Sequence, residues 1–382
     1  MPARRRITVR LLSLTLALLL AGCLSSANNK RAPANNKQVE RKSAPPVQAG
    51  RLKRISFADL PGWNSDRQDR ALVAFSRSCP RLSGAWAGPC RALGRVARGN
   101  PVAARAFFER WFRAYAVGAA GAGLFTGYYE PVLRGSRRQR PGYRVPLHAK
   151  PGDLKRRRPY PARAQILKPP LRARIPVLLW LADPVDAFTL HIQGSGVVRL
   201  AGGGTVRVGV AATNGRRYVS IGRVLLRMGA LSRNRATMQG IQAWLRAHPR
   251  RAAGVMNRNP RYIFFRIVPG GRTRGSGPIG GQGVALTPGR SLAIDPRFVA
   301  YGTPVWLDTT WPSPQGGPLR RLVIAQDKGG AIKGAQRGDI FFGQGARALA
   351  IAGRMRQRGR FFVLLPRGHR KGRQISGQPQ RN

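Results

Sequence analysis

The alternation of apolar and polar positions changes character several times along the chain. Between residues 66 and 79, Leu72, Phe75 and Cys79 recur at helical spacing, which predicts a first helix. Asn100 followed by Pro101 is a good cap and first-turn pair. Behind it, Phe107, Phe108, Trp111, Phe112 and Tyr115 predict one helix with a broad aromatic face turned to a core. A glycine-rich break over 118–123 ends this helical lead-in. From there the signal is mostly that of strands: FTGYYEP at 125–131, runs at 175–181 and 188–193, and glycine-punctuated segments over 197–210. Helical patterns return at 221–228 and 236–247. Residues 284–343 then carry short runs rich in β-branched and aromatic residues, LAIDP, TPVWL, RLVIAQD and DIFFG, separated by Pro-Gly, Tyr-Gly and Gly-Gly turns. A helix over 346–357, with Ala346, Ala350 and Gly353 as a small-residue face, and a last strand FFVLLP complete the pattern.

The expected fold class is therefore mainly β with some helix, organised as two domains. Residues 131–262, rich in Arg and Pro, read as a second β-rich domain inserted between the two parts of the first, 51–130 and 263–368. The N-terminus is different. Arg4, Arg5, Arg6 and Arg10 precede an apolar stretch over 11–20, too short for a convincing membrane span, which reads as a secretory signal over 1–22. Leu20, Ala21, Gly22 and Cys23 fit the bacterial lipobox, making Cys23 a lipidated first residue; the alternative is an ordinary signal peptide cut nearby. Leu24 after the cysteine resembles an outer-membrane sorting address, so the expected location is the outer membrane, lipid-anchored and facing the periplasm. Residues 23–50 hold hardly any large apolar group and are expected to form a disordered tether, and 369–382 a disordered tail.

Charge changes the picture less than its size suggests. The 382 residues contain 69 Lys and Arg against 13 Asp and Glu, a net charge of +56. Nucleic acid is the usual first suspect, but the basic residues are spread over every segment without a nucleic-acid motif, and the leader exports the chain. Acidic wall polymers, lipid phosphates or proteome-wide adaptation fit better, and the sequence does not choose among them. In an exported chain Cys79 and Cys90 read as a disulfide, the alternative being two separate buried thiols. With only four histidines, none close to these cysteines in sequence, a metal site has little support, and no cofactor is expected.

In a chain so poor in acids, three carboxylates concentrate attention: Asp295, Asp327 and Asp339, beside glycine turns or at the edges of short strands. Gly329 and Gly330 after Asp327 suit a tight turn of positive φ that leaves backbone open to a ligand. Any one of these aspartates could equally accept backbone N–H bonds in a turn. Lys328 would favour an ionised Asp327 if it turned inward, but neighbouring strand residues point to opposite faces, so it is expected to turn away.

The order AIDP, AQDKGGAIKG, GDIFFG and FFVLLP resembles the three-aspartate domain of the membrane-bound lytic murein transglycosylase A family. Upstream, LPGW at 60–63, FTGYYEP, HIQGSG at 191–196 and NPRYIFFR at 259–266 resemble the same family in its own order. The resemblance spans roughly 60–366 and implies a double-psi β-barrel with an inserted domain. It also implies cleavage of the β-1,4 bond between N-acetylmuramic acid and N-acetylglucosamine in peptidoglycan, with 1,6-anhydro ends as product. In that chemistry one carboxyl group serves as acid and then as base, without water, metal or cofactor. Asp339 matches the catalytic position, with Asp327 as its electrostatic partner, while Asp295, before Pro296, reads as a turn residue. A second carboxylate in the cleft would raise the acid's pKa. Candidates for glycan contact are Thr126, Gly127, Tyr128, Gln193, Gly194, Ser195, Gly329 and Gly330. Expected partners are glycan strands, the membrane through the lipid, and other cell-wall enzymes. Two other readings stay open: a non-catalytic wall-binding lipoprotein, and a hydrolase on the same barrel.

Overall fold

The computed structural model describes residues 52–117, 123–156, 159–269 and 277–368. The leader, Cys23, the tether and the tail lie outside the described residues. In chain order the strands are β1 (Leu52–Ile55), β2 (Phe112–Val117), β3 (Gly123–Glu130), β4 (Val132–Ser136), β5 (Val145–His148), β6 (Val177–Leu181), β7 (Ser195–Leu200), β8 (Thr205–Thr213), β9 (Ile263–Ile267), β10 (Ser291–Ala293), β11 (Pro304–Thr310), β12 (Pro318–Asp327), β13 (Arg337–Gln344) and β14 (Arg356–Pro366). The helices are α1 (Gln68–Ser78), α2 (Ala87–Ala92), α3 (Pro101–Trp111), α4 (Arg163–Ile166), α5 (Leu171–Arg174), α6 (Pro184–Gln193), α7 (Ile221–Arg227), α8 (Met238–Ala247), α9 (Pro249–Asn257) and α10 (Gly345–Ala352).

Eight strands form one sheet in the order β1-β2-β14-β11-β12-β10-β13-β3, and β14 also pairs with β3, so its last six strands close into a ring. All six ring strands contribute to one buried cluster: Phe125, Leu292, Val305 and Leu307, Val323 and Ala325, Ile340, and Phe361 and Val363. The residues between them on β11, β12 and β14 (Trp306, Leu322, Ile324, Phe362, Leu364) bury against Ala71 and Phe75 of α1 and Phe107 and Phe108 of α3. A strand covered on both faces reads as an unbroken apolar run, which is why VWL, LVIA and FFVLL do not alternate with polar residues. Burial of each large side chain contributes about 1.5–3 kcal/mol.

The other six strands form a second sheet, β5-β6-β4-β7-β8-β9, whose core of Leu133, Leu179, Leu181, Val198, Val208 and Phe265 is covered by Ala187 and Leu190 of α6. At the junction, Glu130, ending β3, forms a buried ion pair with Arg207 of β8 at 2.9 Å.

Several elements depart from the sequence expectation. The Asn100 cap forms as expected, its side chain accepting from Ala103 N at 3.0 Å, but α3 stops at Trp111 and Phe112 is already extended. Residues 112–117 pair with β1 and β14, so Tyr115 lies on a strand; sheet pairing overrides the helical spacing. Residues 188–193 are helical, not a strand. The Asp183 carboxylate caps the N–H groups of Val185 (2.6 Å) and Asp186 (3.0 Å), Pro184 follows, and Gly194 ends α6 in a left-handed conformation at φ 81°. The helix expected over 346–357 ends at Ala352 because residues from Arg356 belong to β14. β9, which a boundary at residue 262 places with the first domain, pairs with β8 in the second sheet. Cys79 and Cys90 are bonded, S–S 2.07 Å, tying the end of α1 to α2.

Candidate active site

Parallel pairing of β13 with β3 sets Asp339 opposite Thr126, and antiparallel pairing with β10 sets it opposite Ala293. The Thr126 hydroxyl donates to Asp339 Oδ1 at 2.6 Å. Asp339 is half-buried, and its carboxyl is pushed up to about 6, first by burial. The positive charge of Arg337 and the Thr126 hydrogen bond pull the other way, and the negative charge of Asp327 adds a smaller push upward. Burial, rather than the second carboxylate, is thus the larger cause, because removing solvent acts on the whole ionised carboxyl while Asp327 acts only at a distance.

Asp327 ends β12 in a fixed cradle. The Tyr128 hydroxyl donates to Oδ2 at 2.7 Å, and the backbone N–H groups of Gly281 and Lys328 donate to Oδ1 at 2.7 and 2.8 Å. Burial raises its pKa, and these three donors oppose the rise. Lys328 is exposed, and its charge is the weakest of the effects on Asp327. Burial and the nearby Asp327 hold the Tyr128 phenol well above its ordinary value, so it keeps its proton and donates a hydrogen bond to the carboxylate.

Asp295 follows β10 and has the opposite surroundings. Burial alone would raise its pKa, but Arg297, with Nη2–Oδ2 2.7 Å, and the backbone N–H groups of Gly334 and Arg297 hold it at about 2. Its oxygens are committed to a turn.

The remaining candidates separate by geometry. Tyr128 and Thr126 share a strand face with the two aspartates as partners. Gly127 faces the other way: a Cβ there would lie 2.8 Å from the Cα of Ala352 on α10 and 2.8 Å from the Phe342 ring, so glycine is required for helix packing. Gln193, at the end of α6, accepts from Tyr129 N at 3.1 Å and so docks the second sheet's helix beside Tyr128. Gly194 makes the left-handed turn into β7, where Ser195 is buried and paired with Gly209. Neither Gly329 nor Gly330 has the positive φ expected of them. A Cβ on Gly329 would lie 2.7 Å from the Ile332 side chain, and one on Gly330 would lie 3.3 Å from the Arg261 guanidinium.

Two participants escape the candidate set drawn from sequence. Arg337 precedes Asp339 by two residues, and the period of a strand puts both on one face, a signal that is legible in the sequence. Tyr218, between β8 and α7, has its phenol raised first by burial and, more weakly, by the charge of Asp339, so it stands within electrostatic reach of that carboxyl. No local pattern announces it. Among the described residues, no group of three His, Cys, Asp or Glu is placed to hold a metal ion, and no helix is long and apolar enough to cross a membrane.

A half-buried carboxyl of raised pKa beside an anchored carboxylate, at the end of a ring next to a second sheet, is apparatus suited to glycosidic bonds. Comparison with known proteins agrees with it. The profile of the MltA specific insert domain matches residues 124–266, and that of the 3D domain matches residues 290–365. The chain is 42% identical to the lytic transglycosylase LtgG of Burkholderia pseudomallei, over 85% of this chain and 99% of that one, with TM-score 0.61. It is 26% identical to E. coli MltA solved with bound chitohexaose, over 82% and 91% of the two chains, with TM-score 0.64. Against the membrane-bound lytic murein transglycosylase A of Vibrio cholerae it is 27% identical, over 93% of this chain and 94% of that protein. The chain belongs to the MltA family of lytic transglycosylases.

Proposed function

We propose that the chain cleaves the β-1,4 bond between N-acetylmuramic acid and N-acetylglucosamine in peptidoglycan without water, Asp339 serving as the only general acid and base. The observation that carries this reading is a carboxyl raised to about 6 beside a second carboxylate already held by three donors. Near neutral pH such an acid has both forms accessible. Protonated Asp339 gives its proton to the glycosidic oxygen as the bond to the anomeric carbon breaks. Positive charge develops on the sugar ring, and ionised Asp327 stabilises it. Asp339, now a carboxylate, takes the proton of the sugar's own 6-hydroxyl, whose oxygen bonds to the anomeric carbon. The acid is thereby regenerated. E. coli MltA has been solved with a chitin oligosaccharide, which supports a glycan lying along Thr126, Tyr128 and Gln193 between the ring and the second sheet. The insert of that reading corresponds to about residues 131–267, β9 included. We place the protein on the periplasmic face of the outer membrane through lipidated Cys23, and Cys23→Ala is expected to release it to the soluble fraction; retention in the membrane fraction at high salt would refute the anchor.

Mass spectrometry of products from purified sacculi tests the chemistry. Muropeptides with 1,6-anhydro ends are expected. Reducing ends would make the protein a hydrolase, and an absence of products would leave a wall-binding lipoprotein.

A further inference from the structure

The guanidinium of Arg337 lies on the catalytic face but makes no ion pair with Asp339 among the described residues. Its Nη1 donates to the backbone carbonyls of Leu124 (3.1 Å) and Gly338, one on each of the paired strands. Its Nη2 donates to the Thr126 hydroxyl oxygen at 2.7 Å, and that hydroxyl in turn lies 2.6 Å from Asp339 Oδ1. A threonine hydroxyl has one proton and two acceptor positions. Arg337 cannot accept, so its bond to Thr126 uses an acceptor position and leaves the Thr126 proton to point at Asp339 Oδ1, its remaining partner. An Oδ1 that receives this hydrogen bond is disfavoured as the protonated oxygen of Asp339, since a carboxylic hydroxyl oxygen accepts from the Thr126 proton more weakly than a carbonyl oxygen does. The acid proton then resides on Oδ2.

We propose that Arg337 is a positioning residue which, through Thr126, fixes the acid proton of Asp339 on Oδ2 and so presents it to the glycosidic oxygen in a single orientation. This rests on Asp339 being the acid, as proposed above. Without the relay the proton divides between two oxygens, and part of the enzyme–substrate complex holds it where it cannot be transferred. The loss falls on kcat, because the Thr126 hydroxyl is already committed to Asp339 and Arg337 and valine keeps the shape that a glycan would meet.

The test uses the full-length protein in detergent on purified glycan strands, with Thr126→Val, Arg337→Met, Arg337→Lys and the Thr126→Val/Arg337→Met double variant. Charge also acts on Asp339 from Arg337 itself and from Asp327 on β12, while the phenols of Tyr128 and Tyr218 stay neutral because burial raises both. Arg337→Met therefore moves the alkaline limb of kcat to higher pH by removing a cation that favours ionised Asp339. Arg337→Lys keeps the cation and an N–H donor on a side chain long enough to approach Thr126, and Met keeps neither. Thr126→Val and Arg337→Met are each expected to lower kcat about tenfold at the optimum pH with KM within about twofold, the double variant to lose no more than either single one, and Arg337→Lys to recover most of the loss. Multiplying losses in the double variant, an equal loss in Arg337→Lys and Arg337→Met, or a loss in KM alone would overturn the proposal. Should Arg337→Met fail to fold, having lost two carbonyl partners, Thr126→Val decides by itself: unchanged kcat refutes the relay. Asp339→Asn run alongside distinguishes the two levels. If it is inactive while the relay variants behave as wild type, only the relay fails; if it is fully active, the assignment of the acid fails and the relay with it.

Discussion

Two corners of the same ring hold aspartates with opposite fates. Asp295, just after β10, and Asp339, on the neighbouring β13, both lose much of their water. At Asp295 an arginine two residues away folds back to grip both carboxylate oxygens, backbone N–H groups complete the shell, and the group stays ionised down to about pH 2. At Asp339 the arginine two residues away on the strand spends its donors on carbonyls and a threonine, reaching the carboxyl only through that hydroxyl, and the group is raised to about 6. Burial is common to both. What separates the turn residue from the proposed acid is where the nearby guanidinium finds its partners.

The largest expected effect lies on the acid side of this comparison. Asp339→Asn should lower formation of 1,6-anhydro products by about a thousandfold or more, as expected when a general acid and base is removed. Asp327→Asn, which keeps the shape but removes the stabilising charge, should cost about a hundredfold, and Asp295→Asn less than about threefold per folded molecule. Product release followed by mass spectrometry ranks the three, and an Asp295 variant as damaged as Asp327→Asn would dissolve the contrast.

Stability should divide the two corners with opposite signs. The folded pKa of Asp295 is depressed, so its stabilisation is present above its unfolded value near 3.8 and is lost as pH falls through about 2. Asp295→Asn should therefore destabilise by about 1–2 kcal/mol at pH 7 and by much less near pH 2. The folded pKa of Asp339 is raised, so its contribution is present below the unfolded value and is lost as pH rises through about 6. Asp339→Asn should gain up to about 1–2 kcal/mol at pH 8 and little at pH 4. Denaturant unfolding at these pH values checks both signs.

A smaller effect concerns turnover in the unmodified protein. In the proposed mechanism Asp339 must be protonated for the first step, so kcat/KM should fall as pH rises through about 6, with Asp327→Asn moving that limb only slightly, because its charge is the lesser of the two upward effects on Asp339. A pH–rate profile in which Asp327→Asn shifted the limb by more than about one unit would reverse the order of causes.

Much of this protein is legible in the sequence alone. The runs around Asp295, Asp327 and Asp339 are strands where their composition places them, Asn100 caps α3, and Cys79 meets Cys90. These depend on local chemistry: β-branched residues between glycine turns, a side chain one turn from the N–H it caps, and two thiols on a short loop. The departures are of two kinds. Asp183-Pro184 and Gly194 bracket a helix by signals present in the sequence, yet the apolar run 188–193 taken by itself has the look of a strand. Phe112 and Tyr115 continue a helical spacing, and only pairing with β1 and β14 makes them strand. The chemistry of the aspartates lies beyond local reading altogether. Sequence places an arginine two residues from both Asp295 and Asp339, and in neither case does it say whether the guanidinium reaches the carboxyl. That is decided by a parallel strand more than two hundred residues away in sequence, which brings Leu124 and Thr126 to Arg337 and so leaves Asp339 free to hold a proton.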